Sequence, residues 1–337
     1  MSRIIDWREM AQPLFALANN ASCGRKRHSP VIMLKLVFLQ FLYDRSDREM
    51  EDMATYDIRV KQFLGLAIDD KAPDYSCLSR FRDEIMIQYG ETILKEWFDD
   101  ILTQAQAHGI RVGTIWAMDA THVESSINGK KDSHEVKKYV AKSKDPDAAW
   151  GCKGQETKIT PKGKKVQVGK HFFGYKAHVT NETTHNLVTA VSVTSGNVTD
   201  IDAGDELLNR KITKQQRAHI DAITADAGYG CPVFINFLEK HQNILTAFAL
   251  PKTMTDKNRS TNPGKWQQYK DDPGRRAIYK ERTSVERIFG EIKQHHGLRR
   301  ARYKGLDKLH LQTIFSMMAH NIKILTKAIT GARFKPI

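Results

Sequence analysis

Residues 114–123 read TIWAMDATHV, a β-branched and aromatic run with an aspartate, Asp119, at its centre. Aspartate is disfavoured in strands and costly to bury unpaired, so an acid there asks for a partner. The run also marks a change of character. Upstream, apolar residues recur at three- and four-residue spacing in VIMLKLVFLQFLYD (31–44), RVKQFLGL (59–66) and ETILKEWFDDILTQAQ (91–106), the pattern of amphipathic and buried helices. Ser46 with Glu49 forms a capping box, and Ser76 is the expected N-cap of a helix carrying Arg80 and Arg82. An all-helical domain is expected over residues 1–108.

Downstream, FFGYKAHVTNE (172–182) and NLVTAVSVTSG (186–196) read as a hairpin, and AHIDAITADAG (218–228) and NILTAFALP (243–251) as further strands. Helices are expected within 197–210 and 233–241, then a polar linker at 255–274 and two C-terminal helices. This order gives an α/β domain over 109–337 with a mixed sheet, the element order of ribonuclease H-like folds. The lysine- and glycine-rich stretch at about 128–170 reads as a solvated, mobile insertion.

Lysine and arginine total 53 against 39 acids, a formal charge of +14 over 337 residues. Such an excess calls for a polyanion, DNA first. No apolar run is long enough to span a bilayer and no secretory signal is evident, so no membrane partner and a cytoplasmic setting are expected. Cys23, Cys77, Cys152 and Cys231 are scattered without metal-ligand or disulfide spacing.

A second aspartate, Asp226, follows the strand at 222–225. If that strand lies beside the one bearing Asp119, the two carboxylates are neighbours, and hard oxygen ligands select Mg²⁺ or Mn²⁺. A third acid is sought in YKERTSVERIFGEIK, residues 279–293. On one continuous helix with Tyr279 at zero, Arg282, Glu286 and Lys293 fall within about 60° of it, bordering the apolar stripe of Val285, Ile288, Phe289 and Ile292. Glu291 falls on the solvent side. Glu286 is thus the acid able to look toward the sheet, although an i, i+4 surface pair with Arg282 is the plain alternative. Asn197 and Asp200 read as helix caps, and His122 as a packed strand residue.

The spacing of Tyr279, Arg282, Glu286 and Lys293 resembles the Y-x2-R-x3-E-x6-K signature of bacterial insertion-sequence DDE transposases. FGYKAHV, TSGNVTD, ADAGYG and HHGLRRARYKG resemble further segments of that catalytic domain, and the helical region resembles an N-terminal domain of InsH type. The resemblance implies a ribonuclease H-like fold and a catalytic, metal-binding triad of Asp119, Asp226 and Glu286 holding two Mg²⁺ or Mn²⁺ ions. It implies cleavage at transposon ends followed by strand transfer into target DNA, with a homodimer on DNA. Tyr279, Arg282 and Lys293 would then meet DNA near the scissile phosphate. Arg299, Arg300 and Arg302 fit a phosphate-binding loop; the N-terminal helical domain reads as DNA-binding, with Arg80 and Arg82 in a helix-turn-helix contact, or equally as a dimerisation or packing domain. Two rivals share these features: a metal-dependent nuclease without transposition, and a non-enzymatic DNA-binding protein.

Overall fold

The structure, a computed structural model, describes residues 1, 3–18, 27–127, 145–161 and 163–331. It divides into two compact units, one of Met1–Arg111 with Glu291–Leu298 and Leu311–Ile337, the other of Val112–Gly290 with Arg299–His310. Among the described residues of 1–111 every regular element is a helix. The sequence division at 108/109 differs from this grouping in the C-terminal helix, Leu306–Thr330, most of which belongs with the N-terminal helices. The reason is aromatic packing: Phe315 stacks on Phe41 with centroids 5.7 Å apart and meets Trp97 edge-on at 5.9 Å.

In that helical unit, Pro30–Leu42 is buried almost all round, and Trp7 packs on Phe38 and Phe63. Asp47–Tyr56 opens on the expected capping box of Ser46 and Glu49. The helix Tyr75–Gln88 is capped by Asp74 rather than Ser76, the Asp74 carboxylate accepting from the Cys77 N–H at 3.0 Å. Asp74 stands one residue ahead of the first helical turn, where a cap belongs.

The second unit is built on one six-stranded sheet. Its strands are β1 (Ile115–Glu124), β2 (Ala149–Ile159), β3 (Lys165–Glu182), β4 (Val188–Ser195), β5 (Ala222–Ala225) and β6 (Leu245–Phe248). Across the centre the order is β4-β3-β1-β5-β6; β3 is antiparallel to β1 and β4, whereas β1, β5 and β6 run parallel. This is a mixed α/β architecture, as the sequence pattern indicates. β2 pairs with the first half of β3.

That last pairing corrects the expectation for 128–170. Residues 149–159 and 165–170 are paired strand, solvated but regular; residues 128–144 lie outside those described. Thr157, Ile159, Val166 and Val168 supply the β-branched alternation, obscured in the sequence by the lysines between them. The 255–274 segment is likewise no linker. Its helix Pro263–Asp271 buries Trp266 and Tyr269 in the sheet's core with Trp116, Met118, Ile223 and Phe248. The Tyr269 hydroxyl donates to Thr246 Oγ1 at 2.9 Å and accepts from the Phe248 N–H at 2.9 Å.

The period-two alternation of a strand decides what β1 offers to each side. Trp116 and Met118 enter that core, so Ala117 and Asp119 face the other side, where Asn181 and Val179 are their register partners. On this side begins the helix Thr283–His295: the Asn181 amide donates to Ser284 Oγ at 3.0 Å, and Val285 and Ile288 are buried. Burial of side chains this size contributes roughly 1.5–3 kcal/mol apiece.

Candidate active site

Asp119 lies midway along β1, in line with the point where the parallel strand β5 ends and Asp226 begins the following turn. The Asp119 side chain is 14% exposed, and its Oδ1 accepts from the Ala120 N–H at 2.8 Å. Its Oδ2 accepts from an Arg282 guanidinium nitrogen at 3.3 Å. The other terminal nitrogen of Arg282 donates to Glu286 Oε1 at 2.6 Å, so one guanidinium bridges an acid of the sheet and an acid of the helix.

Asp226 Oδ1 accepts from the Gly228 N–H at 2.9 Å, which turns the chain sharply after β5. Both carboxylates close in on this glycine: a Cβ there would lie 2.8 Å from Asp200 Oδ2 and 3.0 Å from Asp226 Oδ1. The same contact brings in a residue that sequence reasoning set aside as a cap. The cap is Thr199, whose hydroxyl accepts from the Asp202 N–H, while Asp200 pairs with Lys176 Nζ at 2.8 Å. Lys176 and Asp200 stand in FGYKAHV and TSGNVTD, so their sites were in view, but nothing local marks them as partners.

Crowding of acids is felt in their titration. Burial, then the Asp226 charge, pushes Asp119 up to about 7 against the pull of Ala120 N–H and Arg282. Burial also raises Asp226, with Asp200 adding to it and Gly228 and Arg282 opposing. For Arg282 burial works downward, yet Tyr279, Asp119 and Glu286 together hold its pKa above the ordinary value. The Arg282 guanidinium also lies 5.7 Å from the Tyr279 ring centroid.

The continuous helix expected over 279–293 is broken. Pro273–Lys280 ends, Glu281 and Arg282 form a turn, and Thr283–His295 begins anew. Tyr279 and Arg282 therefore meet across a junction, whereas Arg282 and Glu286 retain their i, i+4 pairing. Glu286 is half exposed. Lys293, ten residues beyond the junction, falls in the stretch grouped with the helical unit rather than with Asp119 and Asp226. Glu291 is not a solvent charge: it accepts from His320 Nδ1 at 2.9 Å and Lys323 Nζ at 2.5 Å.

The arginines divide too. Arg299 and Arg300 are exposed beside the end of β1, where the Ala301 N–H donates to the Glu124 carbonyl at 2.8 Å and Arg300 Nε to the Ser125 carbonyl at 3.2 Å. Arg302 is half-buried in the same segment. Arg80 is exposed, but Arg82 is buried, bonding Gln40 at 2.9 Å and Asp47 at 2.6 Å. An arginine so enclosed holds the helical unit together and is not offered to DNA. His122 packs on the Phe172 ring and lies 3.2 Å from Lys153 Nζ.

Chemically, this is a set of hard oxygen donors with excess negative charge, fit for a divalent cation. Among the described residues, however, no three His, Cys, Asp or Glu side chains are gathered tightly enough to hold a metal ion as they stand. Arg282 supplies the positive charge between Asp119 and Glu286.

The Transposase DDE domain family matches residues 113–322, well over half of the chain, and the Transposase domain (DUF772) family matches residues 1–84. The chain belongs to the DDE transposase family. Solved structures similar to this transposase include the piggyBac transposase synaptic complex with hairpin DNA, at 9% identity and TM-score 0.44, covering 98% of this chain and 73% of that one. The Mos1 strand transfer complex matches at 11% identity and TM-score 0.22, over 96% and 86% of the two chains. Likenesses this weak do not bear on the chemistry of this chain. No helix among the transposase's described residues is long and apolar enough to cross a membrane.

Proposed function

We propose that this transposase cuts DNA at the ends of an insertion sequence and joins the freed 3′ ends to target DNA, using Asp119, Asp226 and Glu286. One observation carries the reading: the Arg282 guanidinium bonds both Asp119 on the central strand and Glu286 on the helix, while Asp226 acts electrostatically on Asp119 from the turn that follows the adjacent strand. Acids drawn from these elements are what the family's chemistry needs, and the sheet order β4-β3-β1-β5-β6 agrees with a ribonuclease H-like domain.

The three carboxylates would hold Mg²⁺ or Mn²⁺, two ions per site, which when bound supply activation of water or a 3′-hydroxyl and stabilisation of the leaving oxygen. The chain's own residues do the rest. Asp119 is held rigidly by β1 and the Ala120 N–H, and Asp226 by its turn. Glu286, on the exposed first turns of its helix, has freedom to adjust. To share a cation, Asp119 and Glu286 must release Arg282, whose five donors can then turn to a phosphate oxygen. Tyr279 beneath the guanidinium limits where it goes. Arg299, Arg300, Arg302, Arg80 and Lys293 offer further positive charge for DNA, and a homodimer on the paired ends is the expected assembly. The site of action is the bacterial cytoplasm.

The test is a purified-protein assay with Mg²⁺ and labelled duplex from the DNA bordering the gene. Cleavage exposing a 3′-hydroxyl and a joined product are expected. Alanine at Asp119, Asp226 or Glu286 should lower both by roughly three orders of magnitude or more, with DNA binding retained. Cleavage without joined product would leave a nuclease; full activity in the alanine variants would remove the acids from the chemistry altogether.

A further inference from the structure

The strands β2 and β3 run on past the sheet. β1 ends at Glu124 opposite Gly174, and beyond that point β2 and β3 pair only with each other, from Cys152 with His171 out to Ile159 with Lys165. Gly174 is where the ribbon departs, and a Cβ there would sit 2.2 Å from the Val123 carbonyl oxygen, so the chain passes as only glycine can. The departure is at the same edge as the acids. β1 passes Asp119 at the level where β5 ends and continues toward Glu124, so the ribbon leaves from the C-terminal end of the parallel strands, where Asp226 also lies.

Neither face of the ribbon is covered. Thr157, Lys158, Ile159, Lys164, Lys165, Gln167, Val168 and Lys170 are all exposed, Ile159 to 69%. A two-stranded ribbon with two wet faces is marginal in water and finds its stability in a partner. Its charge says which. Residues 149–171 include Lys153, Lys158, Lys164, Lys165 and Lys170 against one acid, Glu156. At the ribbon's root lie exposed Arg299 and Arg300, alongside the end of β1. Two such lysine-rich ribbons would repel one another if they met directly, whereas a polyanion is drawn in.

We propose that this ribbon is an arm that lies along duplex DNA flanking the cleaved phosphate, its lysines meeting the backbone as the paired strands follow a groove. A two-stranded ribbon fits the major groove. The inference rests on the transposase reading of the carboxylates, from which the arm's reach is measured. At about 3.3 Å per residue, the arm begins some 17 Å from Asp119 and ends near 47 Å. At about 3.4 Å per base pair, its contacts fall roughly 5 to 14 base pairs from the cut.

The experiment compares the full-length wild type with K158E/K164E/K165E/K170E on a duplex of about 30 base pairs from the DNA bordering the gene, titrated with salt. Four lost phosphate contacts should flatten the slope of log K against log salt by about 2 to 4 and weaken binding about tenfold or more near 0.1 M. The thermal midpoint should hold, because these side chains are exposed. Gln167→Cys carrying an aryl azide should crosslink within the stated window. Unchanged slope and affinity, crosslinks only outside the window, or an altered sedimentation state with an unchanged slope would each overturn the arm. A wild type that binds and crosslinks as stated but never cuts keeps the arm and removes the transposase reading. A wild type that cuts and joins while the charge-reversed protein binds identically removes the arm alone.

Discussion

Asp119 has a stability consequence that can be separated from catalysis. Its pKa, raised from an ordinary 3.8 to about 7, means the folded chain keeps a proton that the unfolded chain has already lost between those values. The contribution is full below about pH 4 and is lost as pH rises through about 7. Asp119→Asn should therefore raise the urea midpoint at pH 8 in EDTA, corresponding to an unfolding free energy higher by on the order of 1–4 kcal/mol, and give no gain at pH 4. Millimolar Mg²⁺ at pH 8 should stabilise the wild type and not this variant. Equal midpoints at pH 8 would remove the strain attributed to Asp119. Glu291 is the opposite case: burial pushes it upward, but hydrogen bonds from His296, His320 and Lys323 hold it far below the usual carboxylate range. A helical wheel put Glu291 in solvent because the wheel describes one helix, whereas His320 and Lys323 stand on another and His296 lies just past the helix end. Lys176 and Asp200 escaped for a related reason, since 24 residues separate them and only the fold brings them within 2.8 Å.

Among the elements, the helix Pro263–Asp271 offers the sharpest check on the core. Trp266→Ala leaves a large void against Tyr269 and the sheet, and should cost about 3–5 kcal/mol, read as a shift of the denaturant midpoint. A change within about 0.5 kcal/mol, the ordinary surface value, would mean this helix is not core. The strands carrying the acids were legible because TIWAMDATHV and AITADAG set an acid against a β-branched apolar run, a local signal. The helices of 30–107 were legible by their period. Legibility failed where composition argues against the element: TDKNRSTNPGKWQQYKDDPG is mostly polar, and only its two aromatics, three residues apart, hint at a buried face. It failed again at 281–282, where a helix breaks without proline or glycine. Glu281 and Arg282 have ordinary helical propensity, so nothing at these two positions announces the break, at which Arg282 bonds Asp119 of the sheet.

On the scale of the whole chain, the N-terminal helices are completed by residues from the far end. A protein ending at residue 310 would lose Phe315, which lies against Phe41 and Trp97. It should show a lower thermal midpoint, dye-binding apolar surface and faster proteolysis within residues 30–107; protection there equal to that of the full chain would mean the helical unit is self-sufficient. Phe315→Ala, which leaves the chain intact, should weaken the same unit by about 3–5 kcal/mol. The grouping also sets a schedule for biosynthesis. Some 200 residues separate Arg111 from Leu311. At roughly 5–20 residues per second, a ribosome needs about 10 to 40 s to cover them. Throughout that interval the nascent helices present an oily surface with its lid still untranslated, a natural client for chaperones that shield emerging chains.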